Sequence, residues 1–416
     1  MRCPTEGSFR ARWIVPVSRP PIHGGYLRCE GGRITHLDRT RPPGPVTDLG
    51  DMAILPGLVN AHTHLEFSDL REPIGRAPAD DATRATQFPR ASLGFADWAA
   101  AVVRSRGAAA SDPDARAAAI AAGLAESARS GVVLIGEIAT APWPLEQVKS
   151  LGPLDASLQE PRLTLFAEIL GLSPERQTQT WQWATSLESQ ASSHIALGLS
   201  PHAPYSTPPE LVRRAVAHAR SHQMPLAMHV AESREELQLL EHGEGPFRES
   251  LERMGVWRGG LFPHAGRIDQ LLRELAAAPR TLVVHGNYLT PEQIAFLAGE
   301  PQMSVVYCPR THAYFDHDRH PIAELWRAGV RVALGTDSRA STPDLSLWNE
   351  ARFLQATRSD LPPENLLKAI TADAADALGY PNFGRLEVGT SPGSIAVPTT
   401  ASEARQLFDS LFEFEP

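Results

Sequence analysis

At 416 residues the chain exceeds one small domain and has room for two or three units or for one large α/β barrel. Hydrophobic residues at 42% and charged residues at 21% exclude a disordered chain, and the scattered 31 Gly and 36 Pro exclude a low-complexity one. A net charge of −9 leaves no positive excess to track a nucleic acid or an anionic membrane, so neither is an expected partner.

Residues 1–55 read as short strands (RARWIVPV, GYLRCEGGRITHL, VTDLGDMAI) broken by Pro and Gly turns, with no helical period. Residues 56–380 repeat one pattern: a short run rich in Val, Ile and Leu, a polar or small-residue break, then a helical stretch. The runs are ILPGLVNAHTH, VVLIGEIAT, RLTLFAEIL, HIALGLSPHAPY, PLAMHVAE, TLVVHGNYL, MSVVYCPRTH and RVALGTDSR. Strands buried on both faces read as continuous apolar runs, and alternation with helices implies a parallel sheet. The eight runs therefore predict a closed (β/α)8 TIM barrel. Thr290, Pro291 and Gln293 predict a capping box, Pro209 opens a helix, and the SDPD break divides 97–130 into two helices. The 71–96 tract is the longest irregular one, read either as a lid or as a surface excursion. Within residues 381–416, FGRLEVGTSPGSIAVP again looks like strand and is expected to join residues 1–55 in a small β-sandwich beside the barrel.

The cysteines, Cys3, Cys29 and Cys308, form neither a secreted disulfide framework nor a Cys-x-x-Cys metal site, which makes a reducing cytoplasm the expected compartment. No apolar run reaches the roughly 18 residues of a membrane span, and the N-terminal apolar patch is too short for a signal peptide.

In a parallel barrel the C-terminal ends of the strands form the active face. His62, His64, His202, His229, His285 and His312 follow the apolar runs there, and Asp337 closes the eighth. Side chains alternate along a strand, so His62 and His64 point the same way and can share one ion if they face inward. Glu137 and Glu168 end the second and third strands, where they either reach the pocket or serve as caps. Cys308 reads as core packing, and His317 and His320 as loop residues.

PGLVNAHTHLE, MHVAE, VVHGNY and ALGTDS, in this order, resemble the amidohydrolase superfamily, in particular its cytosine deaminase and adenosyl-homocysteine deaminase/chlorohydrolase branch. The resemblance covers almost the whole chain. It implies that His62, His64, His229 and Asp337 ligate one divalent metal, zinc first, with iron or manganese as alternatives. It also implies that His285 holds the reacting water and that Glu232 shuttles protons. Asp337 can take the water's proton as well as bind the ion. Two-metal relatives bridge their ions with a lysine ending the fourth strand, whereas that strand here ends SPHAPY. The only lysines, Lys149 and Lys368, fall elsewhere, so one ion per chain is expected.

His202 resembles a substrate-contacting histidine of the branch, and Trp98, with Phe95, an aromatic that covers the substrate. Relatives commonly read Cys-Pro-x-Ser-Asn after the seventh strand. This chain has CPRTHAYFDH, which puts His312 where an Asn is usual and implies an altered pocket. Arg310 and Arg339 are expected at the rim, either binding a substrate carboxylate or pairing with local acids such as Asp316 or Asp344. The implied activity is hydrolytic deamination of a small amino-substituted heterocycle, most closely an adenine nucleoside derivative, by an enzyme of a type that commonly forms homodimers. Hydrolysis of another C–N or C–Cl bond, as in imidazolone opening or triazine dechlorination, is the alternative. A silent scaffold is a further one that the retained ligands disfavour.

Overall fold

The computed structural model describes residues 6–77, 89–109, 112–151, 160–262, 267–390 and 393–414. Eight strands, β1 (Leu58–Thr63), β2 (Val132–Ala139), β3 (Arg162–Ile169), β4 (Ile195–Pro201), β5 (Leu226–Val230), β6 (Thr281–His285), β7 (Met303–Tyr307) and β8 (Arg331–Leu334), lie side by side in chain order, all parallel. The ring closes at one bridge beyond β8: the Asp337 amide donates to the His62 carbonyl at 3.1 Å, and the Thr63 hydroxyl donates to the Asp337 carbonyl at 2.8 Å. Gly335 permits this approach, because a Cβ there would stand 2.8 Å from the His62 carbonyl oxygen.

Alternate strand residues, among them Val59, Leu134, Phe166, Ala227, Val284, Val306 and Ala333, meet helix Ala372–Leu378 in the barrel interior. The other set packs outward against the helices, which is why both faces are apolar. The cap signals are realised. Thr290 forms the capping box of helix Pro291–Ala298, and Asp112 caps helix Pro113–Arg129 after helix Phe95–Ala109.

The two ends of the chain share a sheet. Strand Ser394–Pro398 runs antiparallel to Met52–Pro56, followed by Trp13–Ile14 and Ile22–His23, and a second sheet of Gly7–Arg10, Tyr26–Glu30, Arg33–Asp38 and Thr47–Asp48 lies with it over Phe9, Leu27, Ile34 and Ile54. The tail differs from its sequence reading after that strand. Helix Ala404–Leu411 buries Leu407 and Leu411, and the Trp348 indole donates to the Phe414 carbonyl at 3.0 Å, tying the tail to the barrel.

Of the 71–96 tract, residues 78–88 lie outside the described ones. Its two arms are clamped at the barrel mouth: Ala77 donates to the Arg90 carbonyl at 2.8 Å, Ala91 to Tyr314 at 2.7 Å and Ile74 to Ala340 at 2.9 Å. Among the described residues no helix is long and apolar enough to cross a membrane.

Candidate active site

The strand ends bring the histidines together. Donor atoms of His62, His229 and His285 lie within 4.8 Å of one another, as do those of His62, His64 and Asp337. Asp337 Oδ1 is 3.9 Å from His62 Nε2 and 3.8 Å from His64 Nε2. Both ring nitrogens of His62 and Nδ1 of His64 are buried without a hydrogen-bond partner. A polar core would have paired them, since buried polar atoms are almost always satisfied. Burial, with the neighbouring imidazoles, pushes the His62, His64 and His285 pKa values well below the ordinary range and His229 down to about 3. Neutral imidazoles with orphaned nitrogens beside a carboxylate fit a divalent ion of borderline softness. His229 Nδ1 donates to the His202 carbonyl at 2.8 Å, which fixes its tautomer and leaves Nε2 for the cluster.

Glu232 is 5% exposed, and its Oε1 lies 3.2 Å from His285 Nε2. Burial first, then the Asp337 and Glu236 carboxylates, raise its pKa well above the carboxylate range, which favours the protonated form. Glu236 holds this turn, accepting the Ala231 and Glu232 amides at 2.9 and 2.8 Å, and Asn287 donates to the Glu232 carbonyl at 2.8 Å. Glu236 and Asn287 escaped the sequence reading, although Ser233-x-x-Glu236 is a capping signal that marks this helix start. Burial also pushes Asp337 up to about 7 and the Cys308 thiol well above its usual value.

Glu137 serves the backbone. Both its oxygens accept the Leu65 amide, at 3.1 and 3.0 Å, which anchors the residue after His64. Glu168 faces the pocket side: its Oε2 accepts the Thr140 hydroxyl at 2.9 Å, and His202 Nε2 stands 3.9 Å from its Oε1. Arg106, unread in the sequence, bridges Glu66 and Glu168 from helix Phe95–Ala109. His202 packs against His229, ring centroids 5.1 Å apart. Trp98 donates to the Ala340 carbonyl at 3.3 Å and packs with Phe95 and the unanticipated Phe315 beside the loop after β8.

Three expected substrate contacts hold partners within the protein. Arg310 is 4% exposed and fully engaged: Nε donates to Glu350 at 2.6 Å, and Nη1 and Nη2 donate to Asp344 at 2.9 and 2.8 Å. Arg339 donates to the Leu70 carbonyl at 3.0 Å and pairs with Glu126. Asp316, the other acid considered for these arginines, pairs with Arg90. His312 sits on helix Pro309–Tyr314, which forms because Pro309 starts it directly after β7. Its Nε2 donates to the Asp318 carbonyl at 2.7 Å, and its ring joins Tyr307, His317 and His320, the last of which donates to the His285 carbonyl.

Residues 53–411 match the amidohydrolase family. A 5-methylthioadenosine/S-adenosylhomocysteine deaminase of Moorella thermoacetica is 28% identical over 404 residues, covering 92% of this chain and 83% of the relative. Among solved structures, an aminofutalosine deaminase of Helicobacter pylori with bound methylthio-coformycin superposes with a TM-score of 0.82 at 19% identity, covering 99% of this chain and 97% of that one. A zinc-bound adenosine deaminase of Xanthomonas campestris gives 0.75 at 24%, covering 99% and 90%. The structural likenesses establish the fold, and the family match spans the barrel with every strand end that carries a clustered donor, so the chain belongs to the amidohydrolase family.

Proposed function

We propose that this amidohydrolase is a metal-dependent deaminase that releases ammonia from an adenine nucleoside derivative. The observation that carries the reading is the buried Glu232 carboxyl held 3.2 Å from His285 at the rim of the orphaned donor cluster, its pKa pushed up by burial, which suits an acid beside a hydrolytic centre. The relative named above, a deaminase of two adenine nucleosides, supports the substrate class.

His62, His64, His229 and Asp337 would hold one divalent ion, zinc in the first instance. When bound, the ion supplies Lewis acidity that makes water a nucleophile at neutral pH. Asp337 Oδ1 accepts the proton of the attacking water. Glu232 delivers its Oε1 proton to the ring nitrogen beside the amino-bearing carbon as the C–O bond forms. It then takes up the proton of the hydroxyl now on that carbon and passes it to the amine as the C–N bond breaks and the carbonyl forms; the proton held by Asp337 then restores Glu232. His285 Nε2 orients the water within reach of both carboxyl groups. A single ion per chain is supported by the position of the lysines: Lys149 lies in helix Leu145–Leu151 and Lys368 in helix Pro363–Ala369, neither at the end of β4.

The test is ammonia release by the metal-replete protein from adenosine, S-adenosylhomocysteine, methylthioadenosine, aminodeoxyfutalosine, guanine, cytosine and simple triazines. Turnover of at least one adenine nucleoside is expected. Silence on all of them, with hydrolysis of a triazine or a cyclic amide instead, overturns the reading.

A further inference from the structure

We propose that Glu168 and His202 together read the vicinal hydroxyl groups of the substrate's sugar, so that the substrate keeps an unmodified ribose diol. The inference rests on the nucleoside reading above and extends it by naming the part of the substrate that the pocket selects.

Glu168 is 1% exposed near the end of β3, at the same face as the donor cluster. Its Oε2 is satisfied by Thr140, but its buried Oε1 has no hydrogen-bond partner. Such an oxygen is costly to leave bare unless a ligand completes it. The neighbouring side chains do not complete it. Arg106 reaches only to 3.7 Å of Oε2 and spends its Nε and Nη2 on Glu66. His202 Nε2 is 3.9 Å from Oε1, too far for a direct bond, so the two stand side by side unbonded, close enough for one hydroxyl placed beside the pair to reach both. His202 cannot swing across the gap, because Nδ1 is held by the Ser206 hydroxyl at 2.6 Å and the ring is wedged between Tyr205 and His229. The pair stands beside the donor cluster, because His202 packs on His229.

Its chemistry selects the occupant. Burial opposes the Glu168 charge, but Arg106 leads the neighbours that outweigh it and hold the carboxyl below its usual range, hence ionised. An anion on the substrate is repelled there, and an O–H donor is wanted. A hydroxyl donates to Oε1 and also suits His202 Nε2 in either tautomer, because it both donates and accepts. A diol offers one oxygen to each partner.

The test compares kcat/KM for ammonia release from adenosine, 2′-deoxyadenosine and 3′-deoxyadenosine in the wild type, in Glu168→Gln and in His202→Asn. The wild type should lose roughly 10- to 100-fold on removal of a hydroxyl, the usual worth of a hydrogen bond to a charged group, and mainly in KM. Each variant should narrow that discrimination to within about threefold. Equal discrimination in wild type and variants, or none in the wild type, overturns the proposal while leaving the deaminase reading intact; silence on every adenine nucleoside of the wider screen removes both, and silence on these three alone leaves the decision to the binding comparison that follows. Equilibrium binding of inosine against 2′,3′-dideoxyinosine to the wild-type protein repeats the comparison without turnover or a variant, and equal affinities there also reject it.

Discussion

Replacing Arg310 by Met tests whether this arginine serves the substrate or the fold. The guanidinium donates to the Glu350 carboxylate at 2.6 Å and to both Asp344 oxygens, while the Arg310 amide donates to the second Glu350 oxygen at 2.9 Å. Burial works against the Arg310 charge, and the two carboxylates outweigh it and raise its pKa above the ordinary arginine value. The Met side chain fills much of the stem but leaves Glu350, 0% exposed, with a charge and no cation. Asp344, about a third exposed, turns to water, so the cost falls on Glu350. Removing one member of a buried pair costs about 3–5 kcal/mol. Urea unfolding at constant slope should show a loss of that size, and adding Glu350→Gln to Arg310→Met should recover part of it. The ratio of kcat/KM for S-adenosylhomocysteine to that for adenosine should not change. A stable Arg310→Met protein whose loss is confined to the carboxylate-bearing substrate refutes this assignment and returns Arg310 to the pocket.

Glu232→Gln should keep metal and fold yet lose about 10²–10⁴ in turnover, and near-normal ammonia release would reduce Glu232 to a structural residue. Elemental analysis should find one tightly held zinc, iron or manganese per chain, falling in Asp337→Ala together with activity; two tightly held ions contradict the single-ion reading. Gly335→Ala should lower both the thermal midpoint and metal retention, because the new Cβ meets His62 at 2.8–2.9 Å where the barrel closes. Wild-type values for both would show that the closure has slack.

The barrel and the donor set were legible because both follow from local order in the chain. An apolar run ends, a polar residue follows, and the fold gathers such residues at one face, as His62, His229 and Asp337 illustrate. What could not be read is what a polar side chain meets across the barrel. Arg310 follows an apolar run as a rim residue should, but its partner Glu350 lies 40 positions on, in helix Leu347–Thr357. Arg106 sits in an Ala-rich helix that looks peripheral, and only tertiary packing brings it to Glu66 from the first strand's motif and Glu168 from the third. His312 occupied the expected register, but Pro309 wound its segment into a helix that carries the ring against His317 and His320. The tail helix Ala404–Leu411 is two turns long, too short for its apolar period to stand out.

Three strand ends at the site share a backbone feature that no residue type signalled. Ala231, His285 and Asp337 adopt positive φ angles of 53°, 68° and 57°, and none is a glycine. Left-handed backbone costs a non-glycine residue on the order of 1–3 kcal/mol and persists only where its surroundings over-determine it. Each of the three is pinned. Glu236 takes the Ala231 amide, His320 donates to the His285 carbonyl at 2.9 Å, and β1 grips Asp337 from both its amide and its carbonyl. A strand that simply continued would send successive side chains to opposite faces, carrying Glu232 to the face opposite His229. The left-handed step at Ala231 breaks that alternation just where the acid must turn into the mouth of the barrel. The residues that pin these steps, Glu236 and His320 among them, thus shape the site through backbone geometry as well as through their charge.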